Sequence, residues 1–161
     1  MALTPTQNIS DNNALAALVQ RAGHGVSQAI QSASQKTGVN FAYLMEQASA
    51  ESGFKTDIKA KTSSATGLFQ FIEKTWMNMV RDHGADHGLG EFSKHIDKNG
   101  KVSDPALRQK ILDLRKDPET ASIMAAEFAA SNKSYLEQHT TLKPDEIGAT
   151  EMYFAHFLGA S

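Results

Sequence analysis

The residues whose types and spacing could support catalysis lie between Ala50 and Phe71. Glu51 falls at the predicted C-terminal end of a helix with an apolar stripe. Partial burial beside that stripe and the negative end of the helix dipole both disfavour an ionised carboxylate, so both raise its pKa. A glutamate that stays protonated near neutral pH is what a general acid requires, and a polar turn with nearby aromatic side chains would complete a sugar-cleaving cleft. The simpler alternative is a solvated glutamate at a helix end.

Two motifs in this stretch resemble a known family. Glu51–Phe54 has the sequence Glu-Ser-Gly-Phe, and Ser64–Gln70 has the sequence Ser-Ala-Thr-Gly-Leu-Phe-Gln. In order and approximate spacing they resemble the Glu-Ser-x-Phe … Gly-Ala-x-Gly-Leu-Met-Gln signature of soluble lytic transglycosylases, which share the lysozyme-like fold with goose-type lysozymes. Farther along, Tyr153–Gly159 looks like that family's Ala-Tyr-Asn-Ala-Gly motif, in which a tyrosine lines the cleft. The resemblance covers about residues 40–159.

The resemblance implies roles for individual residues around the first two motifs. Glu51 takes the position of the catalytic acid and base, and the segment 67–70 takes that of the cleft wall. Thr62 or Ser63 stands in for the serine that the family places near the glutamate. The chain departs from the family pattern by one extra residue between the two motifs, by Ser64 in place of glycine, and by Phe69 in place of methionine.

In the last motif, His156 and Phe157 replace tyrosine and asparagine, so either Tyr153 or His156 is expected to supply the polar contact there. The resemblance therefore implies one catalytic residue and a set of substrate-binding candidates. These candidates are Thr62, Ser63, Ser64, Gly67, Phe69, Gln70, Tyr153 and His156.

The reaction that the resemblance implies is cleavage of the β-1,4 bond between N-acetylmuramic acid and N-acetylglucosamine in peptidoglycan. Glu51 would protonate the glycosidic oxygen and then accept a proton from the muramyl 6-hydroxyl, which closes a 1,6-anhydro ring without a cofactor. Peptidoglycan strands are thus the expected partner, and the periplasm or the cell surface is the expected location. A non-catalytic peptidoglycan-binding or scaffold module of the same fold is one alternative, which the altered motif at residues 153–159 favours. A hydrolytic muramidase is another.

The hydrolytic alternative depends on a second carboxylate, which a hydrolase normally places about 5–10 Å from the acid. Asp57 is the only candidate close to Glu51 in sequence, and the others are Glu73, Asp82 and Glu127. The resemblance favours a site with a single glutamate, in which the muramyl 6-hydroxyl replaces water.

A metal site is the other chemistry that the residue types suggest. Three histidines and two nearby carboxylates have a loosely suggestive spacing: His83, His87 and His95, with Glu91 and Asp97. Glycines would break a helix that carried the first two histidines, and no ligand pattern is complete. The segment 97–100 begins like a calcium loop, but its glycine comes too early and the closing glutamate is missing. We therefore predict no metal ion, and a tight turn at residues 97–100 that a small hairpin would accommodate.

Composition excludes several other functions. The chain has 161 residues, 40% of them hydrophobic and 21% charged, as expected for one globular domain. Its formal net charge of -2 gives no basic excess for nucleic-acid binding, and it has no cysteine for thiol chemistry. No apolar run approaches the roughly 20 residues of a membrane span. The polar N-terminus lacks a signal-peptide pattern, and the chain stops after an apolar stretch, which suggests a domain of a larger protein or cell-envelope machine.

Helices must position these residues, because the apolar spacing predicts a mainly α domain with at most a small β-hairpin. The resemblance implies that this helical domain is lysozyme-like. Residues 1–12 are predicted to form a flexible N-terminal arm and residues 13–161 the transglycosylase domain. The first helical pattern is interrupted at Gly23 and Gly25, which predicts a break or two short helices. Asn40 and Gly53 delimit the helix that carries Glu51.

The later helices follow from similar signals. Gly67 is predicted to open a helix from about Leu68 to His83, and its inward residues are Phe69, Ile72, Trp76, Met79 and Val80. Two Asp-Pro pairs open helices at about residues 105–115 and 118–138, and Pro144 begins the last helix.

Overall fold

The structure is a computed structural model that describes the backbone of residues 5–139 and the side chains of residues 12–138. Over that range the chain forms α-helices and no β-strand, so the predicted mainly α fold is confirmed. The α-helices are α1 (Pro5–Ala22), α2 (His24–Thr37), α3 (Phe41–Ser52), α4 (Glu73–His83), α5 (Gly90–Ser93), α6 (Pro105–Asp113) and α7 (Pro118–His139). A short 3-10 turn follows α4 and another follows α6. None of these helices has the length and apolar character needed to cross a membrane.

The first helical pattern forms two helices rather than one. Gly23 lies between α1 and α2 with a φ of 83°, which explains why the helix breaks there. The predicted interruption is thus confirmed. α1 begins at Pro5, inside the segment predicted as a flexible arm, and the mobility of that arm stays a prediction.

The core lies where α2, α3, α4 and α7 meet. Trp76 of α4 is fully buried, and its indole nitrogen donates a 2.7 Å hydrogen bond to the carbonyl oxygen of Ile111, which fixes α4 to α6. The Phe71 ring contacts the rings of Trp76 and Phe128, at centroid distances of 5.1 and 6.0 Å. These aromatic side chains are used in packing, as aromatic pairs in a core commonly are.

The start of α4 is the main correction to the predicted fold. The helix begins at Glu73 and not at Leu68, because residues 66–71 form a turn whose backbone groups bond to distant segments. Ile72 caps the helix with 44% of its surface exposed, so its predicted inward orientation is wrong. The other inward residues of this segment are buried as predicted, namely Phe69, Trp76, Met79 and Val80.

The second half of the described chain follows the predicted capping signals. Asp104 accepts a hydrogen bond from the backbone of Ala106 at 3.0 Å at the start of α6, and Asp117 accepts one from Thr120 at the start of α7. The predicted turn at residues 97–100 is present, closed by a 2.9 Å hydrogen bond from Gly100 N to the Asp97 carbonyl oxygen. No hairpin strands flank it within residues 5–139. The helix predicted from Pro144 lies outside the described residues.

Candidate active site

Glu51 lies in the last turn of α3, as the capping residues predict. The side chain of Asn40 accepts a 2.8 Å hydrogen bond from Tyr43 N at the start of the helix. Gly53 ends the helix in the left-handed conformation, with a φ of 60°. Glu51 is half-buried, and this burial raises the pKa of its carboxyl group above the ordinary value of 4.5. The site therefore favours the protonated form that a general acid needs.

Ser52 joins the end of α3 to the turn at residues 66–71. Its buried hydroxyl group donates to the carbonyl oxygen of Leu68 at 2.7 Å, and it also lies 3.1 Å from the carbonyl oxygen of Ala48. Because Ser52 is adjacent to Glu51, this bond fixes the position of the carboxylate-bearing turn relative to residues 66–71.

The wall beside Glu51 is built from three short segments that lie side by side. Antiparallel bridges pair Lys59 with Thr66, and Thr66 with Phe71. Gly67 N donates to the carbonyl oxygen of Ile58 at 2.8 Å, and the Gln70 side chain donates to the same oxygen at 3.0 Å. The segments 58–60 and 65–72 thus form one small unit, which we call the cleft wall.

Two residues near Glu51 have backbone conformations that are uncommon outside glycine. Phe54 has a φ of 67° and Gln70 a φ of 54°. Such conformations are retained where the surrounding structure holds them, and they concentrate at functional sites. The side-chain nitrogen of Gln70, Nε2, donates hydrogen bonds to the carbonyl oxygens of Ile58 and Gly67, which hold this turn in place. Neither conformation can be predicted from the sequence, because neither residue is glycine or asparagine.

Arg115 is the residue at this site that the sequence did not reveal. Its side chain is buried, with 6% of the residue exposed, and it lies in the 3-10 turn after α6. Its guanidinium group donates to the carbonyl oxygens of Ser64 at 2.7 Å, Phe71 at 3.0 Å and Leu112 at 2.9 Å. Burial lowers the pKa of Arg115. The buried guanidinium group of Arg115 thus supports the cleft wall through hydrogen bonds to its backbone and to the neighbouring Ser64.

The predicted substrate-binding residues divide into surface and supporting positions. Thr62 and Ser63 are exposed in the loop between the wall segments that begin at residues 58 and 65. Ser64 is used structurally, because its hydroxyl oxygen accepts a 3.1 Å hydrogen bond from Glu73 N. Phe69 is only 1% exposed, so its side chain can support the wall but offers no surface to a sugar. This burial does not favour a contact between Phe69 and substrate, which stays a prediction.

The remaining candidates are Gly67 and Gln70 in the cleft wall and the two polar residues of the last motif. Gly67 is buried in the wall, and Gln70 keeps partial exposure there. Tyr153 and His156 lie outside the described residues, so their placement beside Glu51 stays a prediction.

Three of the four other carboxylates considered for a hydrolytic mechanism contact basic side chains. Glu73 pairs with Arg108 at 2.7 Å, and Asp82 pairs with its neighbour Arg81 at 2.9 Å. Glu127 of α7 lies 3.1 Å from a ring nitrogen of each of two histidines, His83 and His87. Asp57 is exposed in the segment after α3.

The histidines that suggested a metal site are used differently. His83 and His87 both contact the single carboxylate of Glu127. In the part of the chain that the structure describes, no group of three or more His, Cys, Asp or Glu side chains could hold a metal ion. The arrangement joins α4 and the turn after it to α7.

The family model described as Transglycosylase SLT domain matches residues 28–143, well over half of the chain. The match begins within α2 and extends past the end of α7, so it includes Glu51, the cleft wall and Arg115. It ends before the motif at residues 153–159.

Proposed function

Since this chain belongs to the transglycosylase SLT domain family, whose substrate is peptidoglycan, we propose that it is a lytic transglycosylase with Glu51 as its catalytic residue. The bond cleaved is the β-1,4 bond between N-acetylmuramic acid and N-acetylglucosamine. Because that substrate lies outside the cytoplasm, the proposed place of action is the periplasm or the cell surface.

The observation that supports this function best is the environment of Glu51. Its carboxyl group is half-buried at the end of α3, and burial raises its pKa. The neighbouring Ser52 bonds to Leu68, which keeps the carboxyl group in a fixed relation to the cleft wall. An acid whose protonated form is favoured, on a turn held in place by hydrogen bonds, is what transfer of a proton to a glycosidic oxygen requires.

In the proposed mechanism Glu51 acts first as an acid and then as a base. Its carboxyl proton passes to the glycosidic oxygen as the bond from that oxygen to the muramyl C1 breaks. The product strand then leaves with a new hydroxyl group. The Glu51 carboxylate next accepts the proton of the muramyl 6-hydroxyl as its oxygen bonds to C1, which closes the 1,6-anhydro ring. Glu51 is protonated again, and no water molecule is consumed.

The contacts of the other carboxylates support a mechanism in which Glu51 is the single acid and base. Glu73, Asp82 and Glu127 are all engaged with basic side chains, and Asp57 is exposed to solvent. A hydrolase would need one of them to orient water or to stabilise the sugar cation. The muramyl 6-hydroxyl therefore takes the role of the nucleophile in our proposal.

The decisive experiment is digestion of purified peptidoglycan, followed by borohydride reduction and mass spectrometry. We expect 1,6-anhydromuramyl ends, which are lighter than the reduced ends of a hydrolase digest by one water molecule and two hydrogen atoms. Glu51→Gln should lower the rate by at least about 100-fold, because that is a typical contribution of a general acid. Glu46→Gln, at an exposed position of the same helix, is the matched control and should stay active.

Other outcomes would assign a different function. Reducible muramyl ends as the main product would mean a hydrolytic muramidase. Sedimentation with peptidoglycan without any product, from a folded protein, would mean a binding or scaffold module.

A further inference from the structure

The last turn of α1 contacts the end of α3, where Glu51 is found. Arg21, in that turn, donates a hydrogen bond from its guanidinium group to the Ser49 hydroxyl oxygen at 3.3 Å. The central carbon of the same guanidinium group lies over the Phe54 ring, 5.6 Å from its centre, which is within the range of a cation–π contact. Ser49 precedes Glu51 and Phe54 follows it, so one side chain of α1 contacts the chain on both sides of the carboxyl group.

The segment between these two contacts, residues 49–54, is closed by a backbone hydrogen bond, and we call it the Glu51 turn. Gly53 N donates to the carbonyl oxygen of Ser49 at 2.9 Å. Gly53 and Phe54 are two successive residues with left-handed backbones, with φ values of 60° and 67°. A left-handed phenylalanine is uncommon and persists where the surrounding structure holds it. The contact of Arg21 with the Phe54 ring is one of the interactions that can do so.

The end of α1 that carries Arg21 is itself fixed to α2. The buried hydroxyl group of Ser27, on α2, donates to the carbonyl oxygen of Val19 at 3.2 Å. The same oxygen accepts a hydrogen bond from Gly23 N at 3.1 Å, and Ala22 packs against the core. Arg21 therefore extends from a corner that is held by hydrogen bonds, which allows it to hold another segment in turn.

The contacts of Arg21 do not include a carboxylate. Within residues 12–138 its side chain is exposed and forms no ion pair, and its contacts there are the Ser49 hydroxyl group and the Phe54 ring. An arginine suits both contacts at once, because its planar group can stack on a ring while its N–H groups donate at the edge. Packing and hydrogen bonding, and not charge pairing, are thus the means by which Arg21 acts on the Glu51 turn.

The contacts from α1 are separate from those that join the Glu51 turn to the cleft wall. The wall contact is the hydrogen bond from Ser52 to the carbonyl oxygen of Leu68, and both residues lie within the range that the family model matches. That range begins at residue 28, so it includes neither α1 nor Arg21. The position of Glu51 thus depends on a second set of contacts, from an element that precedes the matched residues.

We propose that Arg21 is a positioning residue for Glu51, whose turn it holds through the Ser49 hydroxyl group and the Phe54 ring. This proposal rests on the proposed function, because it concerns the same carboxyl group. Arg21 acts on the orientation and burial of Glu51 and does not itself bind the glycan strand. Its loss should therefore slow the chemical step and leave the affinity for the strand unchanged.

The kinetic test measures kcat and KM on soluble peptidoglycan strands. Arg21→Ala should lower kcat about fivefold to tenfold with KM within about twofold of the parent's, because a small loss of position costs rate and not binding. Arg21→Lys should return kcat to within about threefold of the parent's, since lysine keeps a cation over the ring. Gln20→Ala, at the neighbouring exposed position of α1, is the matched control and should keep the parent's values. An unchanged kcat in Arg21→Ala, or an equal loss in Gln20→Ala, would overturn the proposal.

A titration of the Glu51 carboxyl group tests the proposal without any need for activity. Glutamate labelled with ¹³C at the side-chain carboxyl group is incorporated into the protein, and the Glu51 signal is assigned by its loss in Glu51→Gln. If Arg21 keeps the Glu51 turn in place, Arg21→Ala admits water to the carboxyl group, and the pKa of Glu51 falls toward its ordinary value of 4.5. Removal of a cation that acted through its charge would instead raise that pKa. The two roles of Arg21 thus predict shifts of opposite sign.

The titration also separates failure of this proposal from failure of the proposed function. A lower pKa of Glu51 in Arg21→Ala, with the pKa in Gln20→Ala equal to the parent's, supports the positioning role. A raised or unchanged pKa in a folded Arg21→Ala protein overturns that role, whether or not the enzyme is active. If the pKa falls as expected but the parent releases no muramyl ends from peptidoglycan, the positioning role stands and the proposed catalysis is rejected instead.

Discussion

Gly67 lies directly against the backbone carbonyl group of Arg115, so a methyl group added at Gly67 would overlap that oxygen. The two residues are far apart in sequence, and the contact brings the 3-10 turn after α6 against the cleft wall. The guanidinium group of the same arginine bonds to the carbonyl oxygens of Ser64 and Phe71, on either side of Gly67. Arg115 therefore holds the cleft wall through both its backbone and its side chain.

We predict that Gly67→Ala strongly destabilises the protein. A left-handed alanine costs about 1–2 kcal/mol, and Gly67 has a φ of 88°. The overlap with Arg115 adds roughly 1–3 kcal/mol of overpacking. Gly88→Ala is the matched control, since Gly88 has a φ of 79° but no atom near the added methyl group. Urea unfolding of both variants measures the difference, and equal losses of stability would show that the overlap is relieved without cost.

Local signals were enough to predict the helix that carries Glu51. Asn40 and Gly53 mark its two ends, and each acts within five residues along the chain. Capping bonds and the left-handed glycine depend on neighbours in sequence, so they can be recognised before the fold is known. The same holds for the Asp-Pro pairs at the starts of α6 and α7.

The cleft wall could not be predicted in the same way. Residues 68–72 have a helix-like apolar pattern, yet Leu68 and Gln70 lie in a turn because their partners come from other segments. Arg115 bonds to residues 44 and 51 positions away, and nothing in its own neighbourhood indicates burial. Long-range hydrogen bonds of this kind override local propensity. For that reason only the family resemblance, and not the local pattern, indicates a cleft wall at these residues.

We predict that Arg115→Lys lowers the free energy of unfolding by at least about 2 kcal/mol, because the carbonyl oxygens of Ser64 and Phe71 lose their donors. A lysine keeps the charge but cannot reproduce the planar set of donors. Arg108→Lys is the control, because Arg108 forms a more exposed ion pair with Glu73 and should change stability by less than about 1 kcal/mol. Equal effects in the two variants, measured by urea unfolding, would contradict a structural role for the buried guanidinium group.

We predict that Asp57→Asn remains active on peptidoglycan, with less than about a tenfold loss of rate, because a catalytic carboxylate contributes more than that. Asp57 is exposed and, of the four candidates for a second carboxylate, is the one close to Glu51 in sequence. The measurement is the rate of release of muramyl ends, with the melting temperature as a check of folding. An inactive but folded variant would make Asp57 the second carboxylate of a hydrolase.

We predict that the stability gained from Glu51→Gln increases as the pH rises. Burial raises the pKa of Glu51 in the folded state above its ordinary value of 4.5, so the folded protein binds more protons than the unfolded chain in the pH range between the two values. Stability contributed by this group is then fully present below pH 4.5 and is lost as the pH rises through the folded pKa. Glutamine does not ionise, so the variant lacks this loss.

The experiment for this prediction is urea unfolding of the parent and of Glu51→Gln at a series of pH values from 4 to 8. The difference in the free energy of unfolding should shift in favour of the variant as pH rises, and then become constant above the folded pKa. Glu46→Gln, on the exposed side of α3, is run in parallel, and the slope should belong to Glu51→Gln alone. A difference that does not change with pH, or that shifts in favour of the parent, would mean that burial does not hold the Glu51 proton, and the proposed general acid would lose its physical basis.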